Sequence, residues 1–365
     1  MAHCGPHLYD GERLEIIQGR PVLYRYLPSS SQQFPLKTPL LVFVPGAETL
    51  ARISYGGHLN HQPCDFLAYW LNKAGFHVLA VSYPLESNPN IMPLGHADLS
   101  VTEWGELTAE TARSVIEQEY LQKEVVLLGW SMGGKILKAF LRAAAKRAIS
   151  VPLFISLAAT PGGMTGLRPN PTAHRSEAGY AVRPGAQAKV LIQVRDVGKL
   201  NGNRTVIEDQ VYLTEYFGYT PIRLANWGLT YTSSGPFMHD EWESLRDCGP
   251  ENIDYANYPF IGVIHGTSVA DVRHVIADKA TWGMVLTYKL LADISKLSQI
   301  ELHPRWDEIV QFVQSAPDRM HATIEGGHFF FLGERGASAT AEAIRGLIQE
   351  SQKFEVEFSA LLRSD

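Results

Sequence analysis

The chain has 365 residues, 45% of them hydrophobic and 19% charged, a balance that excludes collagen-like, low-complexity and intrinsically disordered classes. With 32 Lys and Arg against 38 Asp and Glu, the net charge is −6, so nothing in the charge balance supports an electrostatic grip on nucleic acid or anionic lipid. At about 150 residues per domain, the length suits one large domain or one domain carrying an insertion.

Three cysteines, Cys4, Cys64 and Cys248, are too few and too widely spaced for a disulfide framework or a zinc-ligand pattern, so reduced thiols are expected. The N-terminus lacks a basic segment followed by an apolar one, and no stretch approaches about 18 uninterrupted apolar residues. A cytoplasmic location without a membrane span is the expectation.

In chain order, strand candidates at 13–18 and 21–27 precede a polar loop from Pro28 to Gln33. The run Leu40-Leu41-Val42-Phe43-Val44 is continuously apolar and stops at Pro45-Gly46, the pattern of a strand buried on both faces of a parallel sheet. A helical segment at 62–75, a strand at 77–81, a helix at 101–119, a strand at 124–128, a helix at 132–147 and a strand at 151–157 continue the alternation. Between 161 and 258 the rhythm stops, except for a strand-like run at 190–194. It resumes with a strand at 260–264, helices at 280–298 and 305–315, a strand at 319–324 and a helix from 337. Alternation of this kind predicts an α/β fold with a mainly parallel central sheet and helices on both faces. Residues 1–160 and 259–365 then form the two parts of one core, and 161–258 form a lid or cap insertion.

The sharpest chemical signal is Gly129-Trp130-Ser131-Met132-Gly133-Gly134, directly after a buried strand and before a helix. It matches Gly-x-Ser-x-Gly, the turn in which a strained serine is exposed at a helix N-terminus and flanking glycines avoid collisions. On this motif and the surrounding alternation, the chain resembles the α/β-hydrolase superfamily. The resemblance implies a serine nucleophile, then an acid after a later strand, then a histidine near the end of the chain.

Among 13 histidines, His328 in Glu325-Gly326-Gly327-His328-Phe329 follows the last strand candidate and resembles the family's Gly-His loop. His321 would lie within that strand and His265 at the end of its predecessor. For the acid, Asp271 is the first carboxylate after the strand at 260–264, although it also suits the N-cap of the next helix; Asp196 and Asp318 are the alternatives. The resemblance further implies an oxyanion hole built from the backbone N–H groups of Ala47 and Met132. Two departures stand out: Pro45-Gly46 replaces the family's frequent His-Gly, and Tyr83-Pro84 replaces Asp-x-Arg-Gly. Serine at the elbow also disfavours epoxide hydrolase and dehalogenase chemistry, which would need aspartate there.

Tyr212, Tyr216, Phe217, Tyr219, Trp227, Tyr231, Phe237 and Trp242 suit either an acyl pocket or a core. Trp130, Trp227 and Trp242 are the candidate substrate contacts. The reading is a serine-dependent acyl hydrolase acting through an acyl-enzyme on an ester or thioester of a lipophilic acyl group. Ser131 attacks, His328 moves the proton, Asp271 orients His328, and no cofactor or metal is required. The substrate is a small molecule, free or presented on a carrier protein. An acyltransferase passing an acyl or polyketide chain to an alcohol or amine is the alternative, and a non-catalytic ligand-binding homologue is the alternative of another class.

Overall fold

A computed structural model describes residues 7–30, 38–162, 173–225, 229–231, 237–239, 246–248 and 254–363. Strands β1 (Glu12–Ile17) and β2 (Arg20–Leu27) form an antiparallel hairpin. Its two-residue turn, Gln18-Gly19, has positive φ at both positions, 50° and 78°, as the right-handed twist of the flanking strands requires. The next strands are β3 (Leu40–Val44), β4 (His77–Ser82), β5 (Glu124–Trp130) and β6 (Ser150–Leu157). After them come the short pairs β7 (His174–Arg175) with β8 (Ala181–Val182) and β9 (Leu229–Tyr231) with β10 (Phe237–His239), then β11 (Phe260–His265) and β12 (His321–Thr323).

Eight strands make the central sheet in the order β1-β2-β4-β3-β5-β6-β11-β12. It is antiparallel as far as the β2–β4 pair and parallel beyond it. Every residue of β3 and β4 is buried, because alternate side chains point to opposite faces and helices cover both.

The helices are α1 (Leu67–Lys73), α2 (Val101–Gln118), α3 (Leu137–Lys146), α4 (Ala186–Leu200), α5 (Asp209–Glu215), α6 (Ile222–Ala225), α7 (Val272–Ile294), α8 (Gln299–Leu302), α9 (Trp306–Arg319) and α10 (Gly333–Leu362). Helix α2 opens on a capping box in which Ser100 Oγ accepts from the Glu103 N–H at 3.1 Å and the Glu103 carboxylate accepts from the Ser100 N–H at 2.9 Å. Together these satisfy two otherwise unpaired donors. Among the described residues no helix is long and apolar enough to cross a membrane. Among the described residues, Cys64 and Cys248 form no disulfide.

The elements follow the expected alternation with one change of type. The strand-like run 190–194 lies inside α4. Its Val and Ile residues favour strands, but Val194, Val197 and Gly198 are the buried positions, and that spacing is the i, i+3, i+4 stripe of a helix laid on a core. Several helix starts also moved. Helix α1 begins at Leu67 rather than 62, α3 at Leu137 rather than 132, α7 at Val272 rather than 280, and α10 at Gly333 rather than 337.

A buried ion pair ties the start of the sheet to the loop after β3. Arg52 and Glu12, both with fully buried side chains, are joined by two 2.7 Å hydrogen bonds, and Tyr55 Oη donates to the same carboxylate at 2.6 Å. Arg52 sits in the short 3-10 helix Ala51–Ser54, a few residues beyond Gly46, so this network anchors the loop that borders the site.

Candidate active site

Ser131 stands at the junction of β5 and a 3-10 turn, Ser131–Ile136, that leads into α3. Its φ is +52°, a left-handed conformation that costs an ordinary residue on the order of 1–3 kcal/mol and persists only where packing enforces it. The neighbouring glycines show how. A Cβ on Gly133 would lie 2.6 Å from the Val44 carbonyl oxygen, and one on Gly134 would lie 2.6 Å from that of Thr160. On Gly129 it would meet the Phe154 ring at 2.8 Å. The elbow therefore sits in direct backbone contact with the ends of β3 and β6.

His328 and Asp271 come together across the sheet ends. His328 Nδ1 and Asp271 Oδ2 are 2.9 Å apart. Asp271 occupies the N-cap position of α7 yet makes no side-chain capping bond; its carboxylate turns to the histidine instead. Burial works to raise this carboxyl, but the hydrogen bond and charge of His328, helped by His274 and Lys189, hold it below its ordinary range. The loops carrying the pair interlock. The N–H groups of Thr267 and Ser268 both donate to the Gly326 carbonyl at 2.9 Å, and a Cβ on Gly266 would lie 2.4 Å from that oxygen. Gly326 itself has φ +139°, which explains the first of the two glycines ahead of His328. Trp130 Nε1 donates to the His328 carbonyl at 3.1 Å, and its ring packs on those of His328 and Phe329, so the residue before Ser131 fixes the histidine loop.

The loop after β3 approaches the elbow at Gly46, where a Cβ would stand 2.8 Å from Ser131 Cβ and 3.3 Å from its Oγ. Tyr83 Oη donates to the Gly46 carbonyl at 2.8 Å, so the tyrosine that departs from the family's frequent pattern braces this loop. Thr220 Oγ1 accepts from the Glu48 N–H at 2.8 Å. Arg183 grips the Glu48 carboxylate in two bonds of 2.9 and 2.6 Å, tying the segment before α4 to the same loop. Ala47 lines the cavity beside Ser131, and Met132 follows Ser131 in the turn.

Ser131, Asp271 and His328 line one cavity of about 610 Å³, together with Ala47, Trp130 and Phe329. Helix α4 and the turn before it add Arg183, Lys189, Val190 and Gln193, and the start of α7 adds Arg273 and His274. The sequence reading did not include these residues. The Arg183, Lys189 and Gln193 contributions had no local signal, whereas His274 and Asp278 stand at the i, i+4 spacing that lets two helical side chains meet. His274 Nδ1 indeed lies 2.9 and 3.0 Å from the Asp278 carboxylate oxygens. Asp271, His274 and His328 present ligand-type atoms within 4.8 Å of one another, with the Nδ1 atoms of both histidines already bonded to carboxylates.

The alternatives lie elsewhere. Asp196 pairs with Lys199 at 2.6 Å on α4, Asp318 pairs with Lys279, and His265 and His321 face one another with their Nε2 atoms 2.9 Å apart. Tyr212, Tyr216 and Phe217 are core residues. Trp227 and Trp242 lie outside the described residues.

A sequence profile of the alpha/beta hydrolase family matches residues 41–343. No curated protein matches the chain. Among solved structures it is similar to Est1E from Butyrivibrio proteoclasticus, at 13% identity over 94% of this chain and 100% of that one, with a TM-score of 0.43. It is also similar to a thioesterase domain from the curacin biosynthetic pathway, at 12% identity over 92% and 98% and a TM-score of 0.41. A soluble variant of monoglyceride lipase from Saccharomyces cerevisiae gives 11% identity over 95% and 96% and a TM-score of 0.44. With the profile spanning both halves of a mainly parallel sheet and the strand–serine–helix turn between them, the chain belongs to the alpha/beta hydrolase family.

Proposed function

We propose that the protein is a serine acyl hydrolase that cleaves an ester or thioester through an acyl-enzyme on Ser131. The observation that carries this reading is the 2.9 Å bond between His328 Nδ1 and Asp271 in the wall of the cavity that also holds Ser131. A carboxylate on Nδ1 fixes the imidazole tautomer, leaves Nε2 as the base and stabilises the imidazolium once it has taken the serine proton. The low-lying Asp271 carboxyl stays ionised for this role. The N–H groups of Ala47 and Met132 serve the oxyanion, and the close approach at Gly46 supports that pairing.

The segment 161–258 acts as the cap, since Arg183, Lys189, Val190 and Gln193 all reach the cavity from it. Aromatic and apolar side chains of Trp130, Val190 and Phe329 receive the acyl chain, and the charged and amide groups of the same lining, Arg183, Lys189 and Gln193, meet polar parts of the substrate.

A fluorophosphonate probe followed by intact mass spectrometry tests the reading. Wild-type protein gains one adduct, located at Ser131. Ser131→Ala gains none and loses turnover of an acyl ester panel by on the order of 10³-fold or more. Near wild-type turnover by a folded Ser131→Ala protein would remove the serine mechanism.

A further inference from the structure

The charges lining the Ser131 cavity run against the charge of the chain. The whole sequence carries a net −6, yet the described residues of the lining bring three cations, Arg183, Lys189 and Arg273, against two carboxylates, Glu48 and Asp271. Both carboxylates are engaged. Glu48 is held in two bonds by Arg183, and Asp271 is bonded to His328. The excess of positive charge in the lining therefore falls to Lys189 and Arg273.

Lys189 and Gln193 stand one turn apart on α4, the i, i+4 spacing that sets two side chains next to each other, and both line the cavity while α4 buries Val194 and Val197 in the core. Among the described residues the Lys189 ammonium makes no ion pair; its charge is felt at Asp271, whose carboxyl it helps to hold down. Arg273, the second residue of α7, reaches the same lining from another element. Burial pushes its guanidinium down, and Asp278 and Asp271 pull the other way, although those carboxylates are already bonded to His274 and His328. Helix α7 begins at this wall without a side-chain cap from Asp271, so the positive end of its dipole adds to the same field.

Resting on the serine reading above, we propose that Lys189 and Arg273, with the Gln193 amide, form an anion subsite, and that the substrate is an acyl ester or thioester carrying a carboxylate or phosphate near the bond that is cleaved. A cleft lined by one sign of charge concentrates ligands of the other, and cations held there without an anion to meet count against a neutral substrate of the same length. Trp130, Val190 and Phe329 line the same space, so the favoured substrate joins an apolar stretch to a charged group. That group belongs to the acyl chain or to the leaving group, and the two sources are separable by experiment.

Matched ester pairs that differ in a single charge test this on the full chain. The acyl arm compares mono-4-nitrophenyl adipate, which ends in a free carboxylate, with its neutral methyl ester. The leaving-group arm compares the hexanoyl ester of 4-hydroxybenzoate with that of methyl 4-hydroxybenzoate. Wild-type protein should favour the charged member of one arm by about 10-fold or more in kcat/KM, and the arm that responds tells which half of the substrate bears the charge. Lys189→Met and Arg273→Met should each lower that charged-to-neutral ratio by about 10-fold. Lys189→Arg should keep the ratio, and raising the salt from about 0.05 M to about 0.5 M should narrow it. Lys189→Met is the deciding variant should Arg273→Met fail to fold. Loss of charged and neutral esters in equal proportion in Lys189→Met would overturn the proposal, since a structural role moves both together. So would wild-type protein that takes a fluorophosphonate adduct on Ser131 yet favours neither charged ester by about 3-fold or more. If wild-type protein takes no adduct and cleaves none of these esters, it is the serine reading that fails, and this proposal with it.

Discussion

Gly46→Ala tests the contact on which the proposed oxyanion pairing of Ala47 and Met132 rests. The new Cβ would lie 2.8 Å from Ser131 Cβ, 3.2 Å from the Trp130 ring and 3.3 Å from Ser131 Oγ. Carbon atoms at optimal separation stand about 3.5–4.0 Å apart, so the loop and the elbow must part by on the order of 1 Å. A misplacement of about 1 Å in a catalytic constellation costs roughly 10²-fold in rate, equivalent to about 2.7 kcal/mol of transition-state stabilisation. The overpacking itself costs stability by about 1–3 kcal/mol. Gly346→Ala is the control, because an added Cβ there meets nothing within 4 Å; its expected effect is nil on activity and slightly stabilising, since Ala is the better helix former. The assay is kcat/KM on a short 4-nitrophenyl ester, with the rate of fluorophosphonate labelling and a thermal melt on each variant. Gly46→Ala activity within about 3-fold of wild type, in a protein with an unchanged melt, would refute the close-approach reasoning.

Asp271→Asn should lower kcat by about 10²- to 10⁴-fold, because the amide cannot stabilise the imidazolium, whereas Asp196→Asn should leave kcat unchanged; kcat measured on both variants checks the ranking. The depressed Asp271 carboxyl also links to folding: its contribution is present above the unfolded aspartate value, near 3.9, and is lost as pH falls through the lower folded value. The melting-temperature gap between wild type and Asp271→Asn should therefore close only in strong acid. His321, brought down to about 4 by burial and by His265, acts in the same direction over a higher pH window. The unfolded chain binds the extra proton first, so stability should fall as pH drops from about 6.5 to about 4, and melts of His321→Gln across that window should show a shallower fall. Arg52→Ala leaves the Glu12 carboxylate buried without its partner and should cost about 3–5 kcal/mol in chemical denaturation, with activity falling only as far as the loop after β3 loosens.

Much of this protein was legible from residue order alone, because the signals involved are local. A run such as Leu40–Val44 suits a strand buried on both faces of a covered parallel sheet, and Gly133 and Gly134 stand where an added Cβ would come within 2.6 Å of a neighbouring backbone carbonyl. The Glu325-Gly326-Gly327-His328 loop carries its own φ requirement in the same way. Asp271 was harder to assign. An aspartate ahead of a helix reads equally as a cap or as a catalytic acid, and only the arrival of His328, 57 residues later, turns its carboxylate away from the helix. The run 190–194 shows the same limit from the other side, since its β-branched residues became helix once α4 had a core face to cover. Arg183 on Glu48, Tyr83 on the Gly46 carbonyl and His274 beside His328 belong wholly to tertiary structure. Each joins segments whose proximity depends on how the chain crosses between strands, and no periodicity or propensity encodes a contact between side chains that approach only after the sheet has closed around them.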